Sequence, residues 1–331
     1  MTLNNIRWLC IPFSALLSHF VAANEQPVEQ QSLDDAWWTG PLLAANASTL
    51  PQGHALIQPY IFDVVRQGRY DNHGDKQSAS RTHSYGSLTY MLYGVTDRFT
   101  AGLIPTFGYN DVSDGRDSSA IQVGDISVQG QYRLTQFRAG SAIPTTSLVV
   151  QQTLPTGKYD RLGANVNDGL GAGAYTTTLA LFSQHYLWMP NGRILRTRFN
   201  VSYALSGAAD IEDVSVYGTN AGFRGTAHPG DVLTINSAWE YSVTREWVLA
   251  LDLIYQHDAS TRLAGDQIDP ITGDTEHIEQ DFGAAWRFGV APAVEYNFSS
   301  RVGVIAGARW FAAGRNTSAT VTPVAAINMV F

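Results

Sequence analysis

Charged side chains recur at alternate positions of several otherwise apolar segments of this 331-residue chain. Between Leu195 and Phe199, for example, Arg196 and Arg198 alternate with uncharged residues. Successive side chains of a β-strand point to opposite faces of its sheet. The spacing therefore predicts strands with one apolar face and one charged face that lines an interior. The residues predicted to line this lumen are Asp125, Arg133, Arg196, Arg198, Glu240, Asp252, Asp281, Arg287, Glu295 and Arg309.

These charges are compatible with two kinds of interior. In a selective pore, Arg196 and Arg198 would form the positive side of a constriction, and Glu240 with Asp252 the negative side. In a structural interior, the charges would neutralise one another and hold the protein open or plugged. The sequence leaves both interpretations open.

The charged positions belong to a longer series of alternating segments, each of roughly ten residues or more. Twelve such segments can be placed, at 53–64, 83–94, 98–109, 121–134, 143–154, 173–188, 193–205, 231–243, 247–257, 281–298, 301–312 and 319–331. An even number of strands is what a single-chain bacterial barrel requires. We therefore predict an all-β protein, a transmembrane antiparallel up-and-down β-barrel of about 12 strands.

The composition agrees with strands rather than helices as the membrane-spanning elements. Hydrophobic residues make up 44% of the chain and charged residues 15%, yet the mean hydropathy is close to zero. After residue 23 no stretch approaches the roughly 18 apolar residues that a membrane helix needs. The connections also alternate between short and long, as between periplasmic turns and outer loops.

The end of the chain carries the clearest alternation, with Val321, Ile327 and Phe331 on one apolar face. A strand that ends the chain leaves an open sheet edge unless another strand pairs with it. We expect the segment at 53–64 to pair with it and close the barrel. Phe331 would then lie at the periplasmic interface. A terminal phenylalanine also resembles the signal by which the outer-membrane assembly machinery accepts barrels, so Phe331 is predicted to be an assembly signal.

The beginning of the chain predicts a cleaved secretory signal. Residues 1–23 contain Arg7, an apolar run and a small-residue site at Val21-Ala22-Ala23. The alternative is a membrane anchor, which the short, interrupted run disfavours. Residues 24–52 are predicted to be an irregular periplasmic segment, with Trp37 and Trp38 at the interface, across the barrel mouth or on its rim. Residues 53–331 form the predicted barrel.

Several other functions lack the residues that they need. The formal net charge of −8 and the absence of a Lys/Arg cluster give no support to nucleic-acid binding. The single cysteine, Cys10, lies in the predicted signal, so a mature chain has neither a thiol nucleophile nor a disulfide. Lys158 lacks the Gly-rich lead of a phosphate loop. We predict no cofactor; outer-membrane lipids, the assembly machinery and a small-molecule solute are the expected partners.

Two further sites were weighed. The acidic loop from Asp258 to Asp281 would bind Ca²⁺ or Mg²⁺ or, as its spacing favours, form a solvated surface without a metal. An outer-membrane phospholipase would place a serine and a histidine near the outer rim, where His257 and Ser260 lie. Nothing completes a triad with them, so we predict no catalytic residues and no enzymatic activity.

Several stretches resemble an outer-membrane transporter family associated with the meta-cleavage pathway of phenol degradation. The resemblance is carried, in order, by residues 49–54 with Gln58-Pro59-Tyr60, by 93–99, by Gly124-Asp125-Ile126 with Tyr132, and by 154–160. It implies a β-barrel for uptake of hydrophobic or aromatic compounds. We therefore predict an outer-membrane channel for passive uptake of small hydrophobic or aromatic solutes. The alternatives are a structural or surface-interaction barrel with a closed lumen and, third, a lipid hydrolase.

Overall fold

The structure is a computed structural model that describes residues 28–113, 115–269 and 271–331. The predicted signal, residues 1–23, lies outside this range. The strands are β1 (Ala55–Tyr70), β2 (Lys76–Gln77), β3 (Thr82–Thr96), β4 (Phe99–Ile104), β5 (Thr106–Val112), β6 (Gln122–Val123), β7 (Ile126–Thr135), β8 (Thr145–Leu154), β9 (Thr176–Trp188), β10 (Ile194–Ser206), β11 (Ala209–Glu212), β12 (Phe223–His228), β13 (Val232–Ser242), β14 (Trp247–Asp258), β15 (Arg262–Ile268), β16 (Thr275–Asp281), β17 (Ala285–Asn297), β18 (Val302–Arg315) and β19 (Thr317–Val330). Two short 3₁₀ helices span Leu33–Asp35 and Val166–Asp168. Within the described ranges, no helix has the length and apolar character to cross a membrane.

The main sheet closes on itself between the first and the last long strand. β1 pairs antiparallel with β19, from Leu56 opposite Val330 to Tyr70 opposite Thr317, and pairs with β3 on its other side. The order of the remaining strands around the barrel follows the chain. Twelve antiparallel staves therefore form a closed barrel, and the predicted fold and closure are confirmed.

One stave consists of two strands because Pro105 interrupts it. β4 ends at Ile104 and β5 begins at Thr106. Proline has no N–H to give to a sheet, although its carbonyl still accepts a hydrogen bond from the N–H of Thr89. Below the interruption β4 pairs with β7, and above it β5 pairs with the short β6.

The two faces of the barrel wall differ as the alternation predicts. On β14, Leu249 and Leu251 are 52% and 40% exposed, whereas Val248 and Asp252 between and beside them are fully buried. The exposed apolar side chains continue around the barrel and include Met91, Leu103, Val128, Leu148, Leu179, Phe199, Val294, Trp310 and Ile327. An outward apolar band of this kind faces lipid in outer-membrane barrels.

The two ends of the barrel are unequal. At the end that contains Phe331, turns such as 97–98, 189–193 and 298–301 are short, which assigns this end to the periplasm. At the outer end, residues 207–231 and 259–284 contain strands that the sequence did not predict.

These unpredicted strands, β11, β12, β15 and β16, form a separate four-stranded sheet, which we term the cap sheet. Its core contains the buried side chains of Ile211, Phe223 and Leu263. Asp281 ends β16 of the cap sheet and is exposed, so its assignment to the lumen is wrong. The physical reason is that the barrel strand begins only at Ala285, after a hairpin that the acidic sequence had made resemble a loop.

Candidate functional site

An N-terminal segment lies inside the lumen, in its periplasmic half. We term residues 28–52 the plug segment. Its first residues contact periplasmic turns, where the N–H of Gln31 donates to the carbonyl of Gly192. Its last residues return to the same end, where the N–H of Gln52 donates to Asp97 Oδ1. Between these anchors the chain enters the barrel, so a segment that we expected simply on the periplasmic side occupies the lumen.

Lumen carboxylates hold the backbone of the plug segment. The N–H groups of Thr39 and Gly40 donate to Glu295 Oε2 at 2.7 and 3.1 Å. The N–H of Ala44 donates to Asp252 Oδ1 at 2.9 Å. Both carboxylates are fully buried. An irregular backbone inside a barrel needs such partners, because its N–H groups otherwise lose water without replacement.

Amides and hydroxyls on other strands complete the binding of the plug backbone. Asn200 Nδ2 donates to the carbonyl of Ala45 at 3.0 Å, and Gln131 Nε2 donates to that of Asn46 at 3.0 Å. Further donors to plug carbonyls are Ser147, Arg198, Asn297 and Asn328. The sequence analysis missed these amides because it considered only charged side chains. Their inward parity was the available signal.

The wall beneath the plug segment is built from small residues. Leu42 packs in a buried cluster with Ala250, Ala291 and Ala293 on β14 and β17. At Gly303 on β18, a Cβ atom would lie 2.0 Å from Thr39 Oγ1. The side chains on this wall therefore leave the space that the plug segment fills, and burial of one leucine stabilises the packing by about 1.5–3 kcal/mol.

The charges of β10 and β13 form one buried network. Arg196 and Glu240 are direct register partners, and Arg196 Nε donates to Glu240 Oε2 at 2.7 Å. Arg198 Nε donates to the same oxygen at 2.9 Å. Trp38 of the plug segment lies over the guanidinium of Arg196, 4.3 Å from its ring centroid. The network thus joins two strands and the plug segment.

This network corrects the predicted constriction. Arg196 and Arg198 do not face Glu240 across an opening, because β10 and β13 are neighbours and their side chains neutralise one another in contact. Asp252 lies on the next strand, β14. The interpretation in which charges hold a plugged interior describes this half of the lumen.

A cavity of about 540 Å³ lies beside the plug segment, along the opposite wall. Tyr60 on β1 and Tyr90 on β3 meet edge to face in this wall, with ring centroids 6.0 Å apart. The apolar lining of the cavity also includes Leu56, Leu88, Leu92, Val149, Ala180 and Phe182, while Gln129, Arg196 and Asn200 supply polar groups. A mostly apolar cavity of this size with a few polar groups is typical of a site for a small organic molecule.

The remaining predicted lumen residues lie at other levels. Arg287 and Arg309 lie on the outer halves of β17 and β18, flanking Phe311. Arg133 lies near the periplasmic end of β7, where its N–H donates to the carbonyl of Arg98. Asp125 precedes β7 at the outer end.

Asp125 organises an outer loop. Its carboxylate accepts hydrogen bonds from the N–H groups of Gly157 and Ala172 at 2.9 and 2.8 Å. Burial, together with the negative charge of Asp125, raises the pKa of Tyr217 to about 12. Tyr217 in turn donates to the carbonyl of Ala172. The structure thus places Asp125 in the support of the loops rather than on the plug segment.

The candidate catalytic pair does not assemble in the described part of the chain. Ser260 Oγ donates to Asp281 Oδ1, and His257 has no hydrogen-bond partner there. In the same residues, no group of three or more His, Cys, Asp or Glu side chains could hold a metal ion.

Phe331 follows β19 at the periplasmic end. Its N–H donates to the carbonyl of Ala55, and its carbonyl accepts from the N–H of Ala55. The side chain is 61% exposed. The backbone of the last residue therefore takes part in closing the barrel, while its ring is free to contact lipid or protein.

Comparison with known families decides the relationship of the chain. Residues 66–322, more than half of the chain, match the family described as "Putative MetA-pathway of phenol degradation". The chain belongs to this family. The resemblance predicted from the short motifs is confirmed. No curated protein matches the chain.

Solved structures similar to this family member include outer-membrane barrels. The COG4313 outer membrane channel from Pseudomonas putida F1 is 18% identical, with a TM-score of 0.66 over 87% of this chain and 98% of that one. The β domain of the Bordetella autotransporter BrkA is 10% identical, with a TM-score of 0.44 over 85% and 100%. The Pseudomonas putida toluene transporter TodX is 12% identical, with a TM-score of 0.38 over 89% and 95%. The first supports the fold, and the outer membrane is the location of this barrel.

Proposed function

We propose that this protein is a non-enzymatic outer-membrane channel for passive uptake of small hydrophobic or aromatic solutes. The observation that carries the proposal is the cavity of about 540 Å³ in the lumen, with Tyr60, Tyr90 and Phe182 in its wall. Aromatic rings in an apolar wall bind planar apolar solutes through edge and face contacts. The family description and the channel and transporter titles among similar structures agree with such solutes.

The arrangement of the lumen suits a small solute better than bulk flow of ions or sugars. The plug segment and the Arg196–Glu240 network occupy one wall and leave the cavity along the other. A wide aqueous channel belongs to barrels of 16–18 strands. A small, mostly apolar molecule with one polar group would contact the aromatic wall and leave that group toward Asn200 or Gln129.

The proposal extends to the partners of the barrel. Lipids of the outer membrane would surround the apolar band, and the assembly machinery would recognise the strand that ends in Phe331. These two partners stand on the exposed apolar wall and on the position of the terminal residue.

Uptake measurements separate this function from the closed barrel. A deletion strain, its parent and the complemented strain are compared for initial uptake of a labelled aromatic solute at low external concentration. We expect slower uptake in the deletion strain and recovery on complementation. The alternative of a closed structural or surface-interaction barrel, which the occupied periplasmic half of the lumen favours, predicts equal rates in all three strains.

A further inference from the structure

Two arginines and a phenylalanine form a column on the lumen wall above the plug segment. Trp310 is 49% exposed on the lipid face, so its neighbours Arg309 and Phe311 point inward. On β17, the 37% exposed Phe288 likewise places Arg287 inward. The two guanidinium carbons each lie 5.0 Å from the centroid of the Phe311 ring.

Register fixes the order of the column. Arg287 lies opposite Gly314 near the outer end, and Phe311 lies opposite Gly289. A Cβ atom at Gly289 would lie 2.8 Å from Phe311 Cδ1, so the ring rests against a strand that has no side chain there. Arg309 follows on the periplasmic side. A solute that enters from the outer end therefore passes Arg287, Phe311 and Arg309 on its way to the cavity.

The positive charge of this column is poorly neutralised, unlike that of Arg196 and Arg198. In the described residues Arg309 forms neither a salt bridge nor a hydrogen bond, and its Nε is buried. Its register partner Thr322 is 1% exposed, with an Oγ1 atom that also lacks a partner. Arg287 has Gln256 Oε1 at 3.2 Å and its only carboxylate, on Asp258, at 3.9 Å.

We infer that the column is a binding site for the carboxylate of an aromatic or other hydrophobic organic acid. A guanidinium binds a carboxylate through two parallel charge-assisted hydrogen bonds, and both arginines have donors left for it. The Phe311 ring fixes the guanidinium planes and offers an apolar surface to the body of the solute. The inference rests on the proposed function and adds a substrate class to it, an organic anion rather than only a neutral hydrocarbon.

Benzoate and benzyl alcohol are matched probes, because they share the ring and differ in charge. Their binding is measured by calorimetry on the full-length protein in detergent at pH 7. We expect the wild type to bind benzoate about tenfold or more tightly than benzyl alcohol, the ratio that one charge-assisted contact supplies. Arg309→Gln and Arg287→Gln should each remove most of this preference and leave benzyl alcohol binding unchanged.

The control is Arg301→Gln in the exposed periplasmic turn between β17 and β18, which should retain the preference. Arg309→Lys, which keeps the charge without the two-pronged donor, should fall between the wild type and Arg309→Gln, and heat-modifiable migration confirms that each variant is folded. Equal affinity of the wild type for both probes, or an unchanged preference in Arg309→Gln, would overturn the inference while the proposed function stands. If neither probe binds, the proposed function fails and the inference fails with it.

Discussion

The carboxylate of Glu295 on β17 accepts the backbone N–H of Thr39 at 2.7 Å and so ties the plug segment to the barrel wall. The same oxygen accepts from Gly40. A single side chain thus satisfies two adjacent donors that would otherwise be buried without partners. This contact links the charged lumen predicted from the sequence to the occlusion seen in the structure.

Replacing Glu295 with alanine should release this part of the plug segment. Each hydrogen bond to a charged acceptor contributes about 1.5–3 kcal/mol, so the occluded population should fall by roughly tenfold or more. Single-channel recording in planar bilayers should then show larger or more frequent conductance steps than the wild type. Glu279→Ala, on the exposed β16 hairpin of the cap sheet, is the control and should leave conductance unchanged. Wild-type conductance in Glu295→Ala would show that Glu295 does not hold the occlusion.

Replacing Glu240 with glutamine should destabilise the barrel itself. Arg196 and Arg198, 4% and 5% exposed, would lose their shared carboxylate and remain buried with uncompensated charge. Breaking a buried pair in this way costs about 3–5 kcal/mol. Urea unfolding in detergent measures it. The matched change Glu212→Gln, which removes the exposed partner of Arg161, should cost at most about 1 kcal/mol. Equal losses in the two variants would contradict the role of the buried network.

The outer loops should separate in acid. Hydrogen bonds from the N–H and the hydroxyl of Ser119, at 2.7 and 2.8 Å, hold the pKa of Asp168 below its ordinary value of 3.8. Because the folded pKa is the lower one, this contact stabilises the loops above about pH 4 and is lost as the pH falls through the folded pKa. Hydrogen exchange should show loss of protection at Ser119 in acid, and Asp168→Asn should show it already at pH 7. Protection of Ser119 that persists in the variant would argue against the contact.

Removing Phe331 should lower the amount of protein assembled in the outer membrane. The residue ends the closing strand and exposes its ring at the periplasmic end. Heat-modifiable migration in outer-membrane fractions measures assembly. Phe298→Ala removes a second periplasmic aromatic of the same 61% exposure and should assemble normally. Normal assembly without Phe331 would remove its role as a signal.

Alternation of side chains was sufficient to predict the barrel, because a period of two directly records which face meets lipid. Segments such as 247–257 and 193–205 fall within two residues of β14 and β10. The cap sheet escaped prediction because its strands are short and, in β16, carry acidic residues on both faces. Its strands pair with one another rather than with the barrel, which a local pattern does not reveal.

The plug segment could not be predicted for a different reason. It binds mainly through its own N–H and carbonyl groups, which every residue carries and which leave no side-chain pattern. The pairing of Arg196 with Glu240 also required the register between β10 and β13, which are separated by the long connection that contains β11 and β12. The charged residues were visible in the sequence, but their partners were not.

The most direct test of the central claim is the uptake of a labelled aromatic solute by cells in which the lumen cavity is filled. Ala180 on β9 lines the cavity and is 8% exposed, whereas its neighbour Leu179 is 50% exposed on the lipid face. Ala180→Trp should reduce uptake to the rate of the deletion strain, and Leu179→Trp should retain the wild-type rate at equal amounts of assembled protein. Wild-type uptake by Ala180→Trp would contradict passage of the solute through this lumen.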